Sequence, residues 1–296
     1  AIAFAQRGAL ATACEPASAR SRRESTTMST DPIETHPARM PVVFVGHGSP
    51  MNVIEGNAWS RGFTALGGLV PRPSAILAVS AHWFVDGTYL TSNPTPRTIH
   101  DFSGFPPALY EIDYPAPTRA DLAARVRALL GEARAGLRED WGLDHGTWSV
   151  LRWMYPAADV PVIQLSLDRR LAPAGHLALA RSLAPLREEG VLILGSGNVV
   201  HNLRDAFGRM RSGEQSTPAW AQRFDEAVKD ALLARDAARL ASLVPDTDDG
   251  RLAHPSPDHW LPLLYAFGAT DERDAVRFPT EGFDLGSISM RNAVFG

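Results

Sequence analysis

Three short apolar runs of this chain each lead into a histidine. Val42-Val43-Phe44-Val45 continues as Gly46-His47-Gly48-Ser49-Pro50, Ile76-Leu77-Ala78-Val79-Ser80 continues as Ala81-His82-Trp83, and Val191-Leu192-Ile193-Leu194 reaches His201-Asn202 through Gly195-Ser196-Gly197-Asn198-Val199-Val200. Imidazole is the commonest metal ligand and the side chain best suited to move protons near neutral pH. Three rings delivered to one rim therefore read as a metal site. A fourth ring, His259, follows Ser256-Pro257-Asp258. Ser256 reads as an N-cap and Pro257 as the first helical residue. His259 then falls in a first helical turn, where the helix dipole disfavours imidazolium and keeps the ring neutral, as a metal requires. One strand-end histidine is ordinarily a loop hydrogen-bonder. The recurrence is what favours His47, His82 and His259 as ligands, with His201 either a ligand or an acid/base group.

Two further histidines, in His100-Asp101-Phe102 and Asp144-His145-Gly146, sit among glycines and aromatics and are candidates for proton transfer or substrate contact. Each has an adjacent aspartate, but sequence neighbours point apart, so adjacency establishes no carboxylate-histidine pair. His254, before Pro255 and Pro257, shapes the approach, and His176 and His36 read as bystanders.

The remaining composition works by elimination. Cys14 is the single cysteine, which excludes an internal disulfide and a cysteine-rich zinc site. Lys229 is the single lysine, so neither a Walker-type phosphate loop nor a pyridoxal Schiff base has its lysine in place. Twenty-nine Lys+Arg against 33 Asp+Glu leave a net charge of -4, without the basic surplus that nucleic-acid binding needs. Gly195-Ser196-Gly197 lacks a third fingerprint glycine, because Val200 stands there, and no nucleophile elbow or HExxH pair occurs.

The elements that must carry these residues follow from hydrophobic patterning. Pro41 to Val45, Ala75 to Ser80, Val160 to Leu167 and Val191 to Leu194 are continuous apolar runs, suited to parallel strands covered on both faces. Arg119 to Ala135, Leu171 to Glu188 and Trp220 to Leu243 carry apolar residues at helical spacing and supply crossovers. Residues 86 to 117, rich in Pro, Gly and Thr, read as a long excursion at the mouth of the site. The expected fold is α/β, a single domain over 40-296 with a mostly parallel central sheet, helices on both faces and the active site at the carboxyl ends of the strands. Residues 1-39 read as a disordered extension, with Met28 as the start of the natural chain. No apolar run is long enough for a membrane span, and the protein is expected to be cytoplasmic, a monomer or small homo-oligomer.

The segments Gly46-His47-Gly48-Ser49-Pro50-Met51-Asn52, Ser80-Ala81-His82-Trp83, His100-Asp101-Phe102, Trp141-Gly142-Leu143-Asp144-His145-Gly146, Gly197-Asn198-Val199-Val200-His201-Asn202-Leu203 and Pro257-Asp258-His259 occur in the order seen in the 4,5-DOPA extradiol dioxygenase family. The chain resembles that branch of the class III extradiol ring-cleaving dioxygenases over about residues 40 to 296. The resemblance implies insertion of O2 into a catechol, with a divalent metal, Zn(II) or Fe(II), held by His47, His82 and His259. It makes His201 a fourth ligand or an acid/base residue, pairs it with His145 in proton transfer, and leaves Ser49, Trp83, His100 and Asn198 as candidate substrate contacts. Better-known relatives in the superfamily use two His and one Glu. The third position here is His259, and three neutral ligands suit zinc as well as iron. The competing readings are a zinc-dependent hydrolase that activates water at the same histidines and a non-catalytic metal-binding module.

Overall fold

The computed structural model describes residues 39–214 and 216–296. The expectations for residues 1–38, including Cys14 and His36, lie outside them. The first half of the chain forms β1 (Val42–Gly46), a 3-10 turn (Pro50–Val53), α1 (Ala58–Leu69), β2 (Ala75–Val85), β3 (Thr88–Thr91), a short α2 (Pro107–Tyr110), α3 (Ala120–Leu130), β4 (Ala135–Arg138) and α4 (His145–Met154). Next come β5 (Val162–Asp168), α5 (Pro173–Leu183), a 3-10 extension (Ala184–Glu189), β6 (Val191–Gly197), α6 (Leu203–Ser212), α7 (Ala219–Leu233), α8 (Ala237–Asp246) and α9 (Asp248–Ala253). A 3-10 turn (Pro257–His259), α10 (Leu261–Gly268) and the short strands β7 (Val276–Arg277), β8 (Phe283–Asp284), β9 (Ile288–Ser289) and β10 (Ala293–Phe295) complete it.

The main sheet has the order β4-β3-β5-β2-β6-β1-β10-β7. Its centre, β5, β2, β6 and β1, is parallel as the continuous apolar runs require. Both margins depart from that pattern. β3 runs antiparallel to β5 and carries β4 parallel to itself, while β10 and β7 add antiparallel beside β1. Alternation within each central strand feeds two cores. Val42, Phe44, Leu77, Val79 and Ile193 pack on the face covered by α3, α5, α7, α8 and α10, whereas Val43, Val45, Ile76, Ala78, Leu192 and Leu194 pack on the face of α1 and α4. A strand that is buried on both faces has no polar edge to spare, so its functional groups must lie at its ends.

Three helical expectations are shortened by local chemistry. α3 stops at Gly131, which takes a φ of 90° that other residues avoid, and Ala135 begins a strand instead. The Leu171 to Glu188 segment is an α-helix that tightens into a 3-10 extension closed by Gly190. The Trp220 to Leu243 segment is two helices. Arg235, at φ 53°, ends the first, and Asp236 caps the second by accepting from Arg239 N–H. The 86 to 117 excursion contains β3 and α2 and is therefore not one loop. Among the described residues no helix is long and apolar enough to cross a membrane.

Outside the strand-end rim, His176 and His254 are buried in the cores. His176 Nδ1 lies 3.3 Å from the Tyr265 hydroxyl and His254 Nε2 lies 2.8 Å from Val199 O. Burial holds each imidazole down at about 4. Between pH 4 and 6.5 the unfolded chain therefore binds protons that the native chain refuses, so stability rises with pH across that window. Acidification from 6.5 to 4 should cost up to about 3 kcal/mol for each ring. Urea unfolding of His176→Gln over this range should give a shallower pH slope than the unsubstituted chain. An unchanged slope would show that the buried ring is already charged.

Candidate metal centre

The rim at the carboxyl ends of β1, β2 and β6 gathers five histidines. At the end of β1, Gly46 N–H donates to Asn292 Oδ1 (2.9 Å) and His47 N–H donates to Gly197 O (3.1 Å), so the backbone that presents His47 is held from both neighbouring strands. His82 lies within its strand and not past its end, because β2 continues to Val85 through a register irregularity between Val79 and Phe84. His145 is the first residue of α4, whose cap Asp144 accepts from Thr147 N–H. His259 closes the Pro257–His259 turn. Ser256 makes no side-chain cap there, and the turn is 3-10. The expected first turn of an α-helix is thus replaced, and burial does the work assigned above to the helix dipole.

Two glycines permit the convergence. A Cβ on Gly197 would collide with His259 O, and one on Gly146 would stand 2.6 Å from Ser80 Oγ and 2.9 Å from His82 Cδ2. The Gly195-Ser196-Gly197 segment therefore serves close approach of the His259 turn to β6, which explains glycines that bind no dinucleotide.

The rings are oriented through their Nδ1 atoms. Ser196 Oγ donates its one proton to Gly146 O, so it must accept from His47 Nδ1–H at 3.0 Å. His82 Nδ1 lies 3.1 Å from Asp101 Oδ2, and His145 Nδ1 lies 3.0 Å from Asp101 Oδ1. His259 Nδ1 donates to Asp258 Oδ2 at 2.6 Å. Ser196 and Asp258 thus fix the Nδ1 proton of His47 and His259, and Asp101 stands beside Nδ1 of His82 and His145, the arrangement in which outer-shell groups prepare imidazole ligands. His47 Nε2 and His82 Nε2 face each other at 3.2 Å. Facing nitrogens at that distance need a positive centre between them, a shared proton in the metal-free protein or a metal ion, and two nitrogens on a tetrahedral ion at 2.0–2.1 Å are about 3.3 Å apart. The donor set fits a divalent transition metal.

The electrostatics agree. Burial, followed by the surrounding imidazoles, pushes His47 well below the ordinary histidine range. Burial, followed by His82, takes His145 down to about 4, and burial also lowers His259 against the pull of Asp258. Burial and then His259 hold His201 well below its usual value. His82 is the exception. Burial opposes its charge, but Asp101, Asp144 and Asp258 together raise it. The Asp101 carboxyl, although burial works to raise it, is held well below the usual range by His145 and His82. Burial lifts Asp144 to about 6.

Among the described residues, the ligand atoms of His47, His82 and His145 lie within 4.8 Å of one another. The His259 ring is 5.2 Å from His47 and 5.0 Å from His82, centroid to centroid, but its ligand atoms are not in that group, so the structure brings His145 and not the expected His259 into it. His201 stacks on His259 at 3.4 Å with planes 4° apart. A metal lies near the plane of its imidazole ligand, so stacked rings cannot both point at one ion. His201 can join His259 as a ligand only after one ring turns.

The other candidate contacts are dispersed. Trp83 is buried and stacks on Trp141 at 5.4 Å, and Asn198 is buried with its Nδ2 donating to Ser289 O. Ser49 Oγ accepts from Met51 N–H at the start of a 3-10 turn. His100 Nε2 is 3.0 Å from Ile112 O, and its ring joins Phe102, Tyr110 and Trp148 in an aromatic cluster whose Phe102 meets His145 edge-on at 5.5 Å. Sequence reasoning missed Asp101, Asp258 and Ser196 as orienting groups. The aspartates were visible as neighbours of histidines, but nothing in the spacing says which histidine each one holds.

Comparison with known proteins converges on one group. Residues 42–296 match the family model described as the catalytic LigB subunit of aromatic ring-opening dioxygenase. The chain is 48% identical over 261 residues to a 4,5-DOPA dioxygenase extradiol of Escherichia coli (strain K12), covering 87% of this chain and 95% of that protein. It is 36% identical over 258 residues to a 4,5-DOPA dioxygenase extradiol of Beta vulgaris, covering 85% and 95%. The crystal structure of an uncharacterized protein from Escherichia coli K12 superposes with a TM-score of 0.76 at 43% identity, covering 87% of this chain and all of that one.

The facing pair generates a direct test. His47→Ala and His82→Ala should each abolish retention of a divalent metal through gel filtration, read as metal per chain by elemental analysis. Full stoichiometry in either variant would remove that residue from the ligand set.

Proposed function

We propose, from the premise that the chain belongs to the family of catalytic LigB subunits of aromatic ring-opening dioxygenases, that it is an extradiol dioxygenase acting on a DOPA-like catechol. The observation that carries the reading is the His47–His82 pair, two imidazole nitrogens facing at 3.2 Å with Ser196 and Asp101 at their Nδ1 atoms. His47, His82 and His259 would hold the ion. His259 is preferred to His145 as the third ligand because it has its own carboxylate in a 2.6 Å hydrogen bond, whereas His145 shares Asp101 with His82 and lies against the aromatic cluster. Fe(II) is proposed for the active form, and the ion when bound supplies Lewis acidity toward two adjacent hydroxyls and the redox capacity that O2 chemistry needs.

The protein residues then have separable tasks. The catechol ring lies against the Phe102 side of the site, where an aromatic face meets aromatic edges favourably. His145, neutral because burial keeps it near 4, accepts a hydroxyl proton at Nε2 while Asp101 faces its Nδ1. His201, equally neutral and half-exposed, is the second proton carrier and can exchange with solvent. Residues 40-296 form the catalytic unit of this reading.

Anaerobic reconstitution with Fe(II), followed by oxygen-electrode measurements with DOPA, caffeate or protocatechuate, should give oxygen uptake matched to a yellow ring-opened product. No uptake with any of them, or hydrolysis supported by zinc without oxygen, would reject the assignment. His145→Ala should keep its metal and lose roughly 10²- to 10⁴-fold in turnover, the range of general acid-base contributions. Metal loss in that variant would move His145 into the ligand set.

A further inference from the structure

We propose that Asp101 is the positioning residue that makes His82 a metal ligand, by dictating which of its nitrogens carries the proton. The proposal rests on the metal-centre reading above and adds a residue that the histidine pattern did not assign. Asp101 lies on the loop between β3 and α2 and holds three groups with two oxygens. Its Oδ1 accepts from the backbone N–H of His145 at 2.9 Å and stands 3.0 Å from His145 Nδ1, while Oδ2 stands 3.1 Å from His82 Nδ1. An ionised carboxylate accepts and never donates, so Oδ2 favours the His82 tautomer that turns Nδ1–H toward it. That tautomer leaves the lone pair on Nε2, the atom that faces His47. No other side chain among the described residues pairs with His82 Nδ1.

An amide of the same shape would not serve. Asparagine has one oxygen and one NH2, and the His145 side of Asp101 presents a backbone N–H, a donor that cannot change roles. In Asp101→Asn the amide oxygen therefore settles on the His145 side, and the NH2 faces His82. His82 must then accept at Nδ1, which places its proton on Nε2 and removes the lone pair from the site. Alanine imposes no such choice. With Asp101→Ala a solvent molecule can accept from Nδ1–H, and His82 can still adopt the ligand tautomer. The isosteric substitution is thus the more damaging one, the reverse of what simple loop anchoring would give.

Chelator-competition titrations with Zn(II) on the full chain, with visible spectra of the Co(II)-loaded protein, test this in Asp101→Asn, Asp101→Ala, His82→Ala and the Asp101→Asn/His82→Ala double variant. Asp101→Asn should weaken metal binding by roughly 10- to 100-fold, the span for outer-shell partners of metal ligands, and more than Asp101→Ala. Its Co(II) spectrum should change in the same direction as that of His82→Ala. The double variant should bind no more than about twofold more weakly than His82→Ala, as two changes at one nitrogen are not additive. Wild-type affinity in Asp101→Asn, a larger loss in Asp101→Ala, or losses that multiply in the double variant would overturn the role of Asp101. Failure of the unsubstituted chain to bind Zn(II) or Co(II) would instead overturn the metal centre, and this inference with it.

Discussion

The facing of His47 Nε2 and His82 Nε2 at 3.2 Å is the constraint around which the rim is organised. Two imidazole nitrogens brought together in a largely buried site need a proton or a cation between them, and the surrounding groups hold the rings in that facing geometry. Ser196, Asp101 and Asp258 each engage an Nδ1, and burial discourages protonation at His47, His145 and His259. Metal ligands must be neutral before they bind. Burial meets that requirement at His47 and His259, whereas His82, raised by its carboxylate neighbours, would give up a proton on binding an ion.

The sheet makes this placement cheap in geometry. β1, β2 and β6 are neighbours, parallel and buried on both faces, so the carboxyl ends of β1 and β6 and the distal part of β2 open on one rim with fixed separation. The helical side contributes by close approach. Gly197 lets the His259 turn sit on β6, and Gly146 lets the start of α4 sit on His82. Behind the rim, the buried guanidiniums of Arg187 and Arg291 tie the C-terminal segment to the body through Asp274 and Asp225. That segment delivers Asn292 to Gly46, and removing one partner of such a buried pair typically costs about 3–5 kcal/mol. Rigidity at His47 thus depends in part on charges far from it in sequence.

Much of this was legible in the residue order. Continuous apolar runs located the four central parallel strands, and their termini located His47, His82 and His201 on one rim. The margins were not legible, because strands such as β7 and β10 are two or three residues long and owe their extension to pairing rather than to pattern. Helix limits failed where one residue decided them, as Gly131 and Arg235 did. The orienting carboxylates were the harder case. Asp101 neighbours His100 yet holds His82 and His145, and Asp144 neighbours His145 yet faces Ser80 and Gln164, whereas Asp258 does hold its neighbour His259. In extended or loop backbone, adjacent side chains diverge. The tight 3-10 turn at Pro257–His259 brings consecutive ones together, and no spacing rule separates the two cases without the backbone.

Charge balance gives these carboxylates a purpose beyond orientation. Three neutral imidazoles bring no charge to a divalent ion, which would leave two positive charges in a largely buried site. Asp101 and Asp258, both held well below the usual carboxylate range, each stand one imidazole away and together offset that charge. Asp144, raised by burial to about 6, is still mostly ionised at neutral pH and adds its charge to theirs beside His82. A centre neutralised from the outer shell does not need an acidic ligand in the first. In the proposed ligand set this is a physical reason why a third histidine, His259, would serve in place of an acidic ligand, since Asp258 at its Nδ1 supplies the balancing charge.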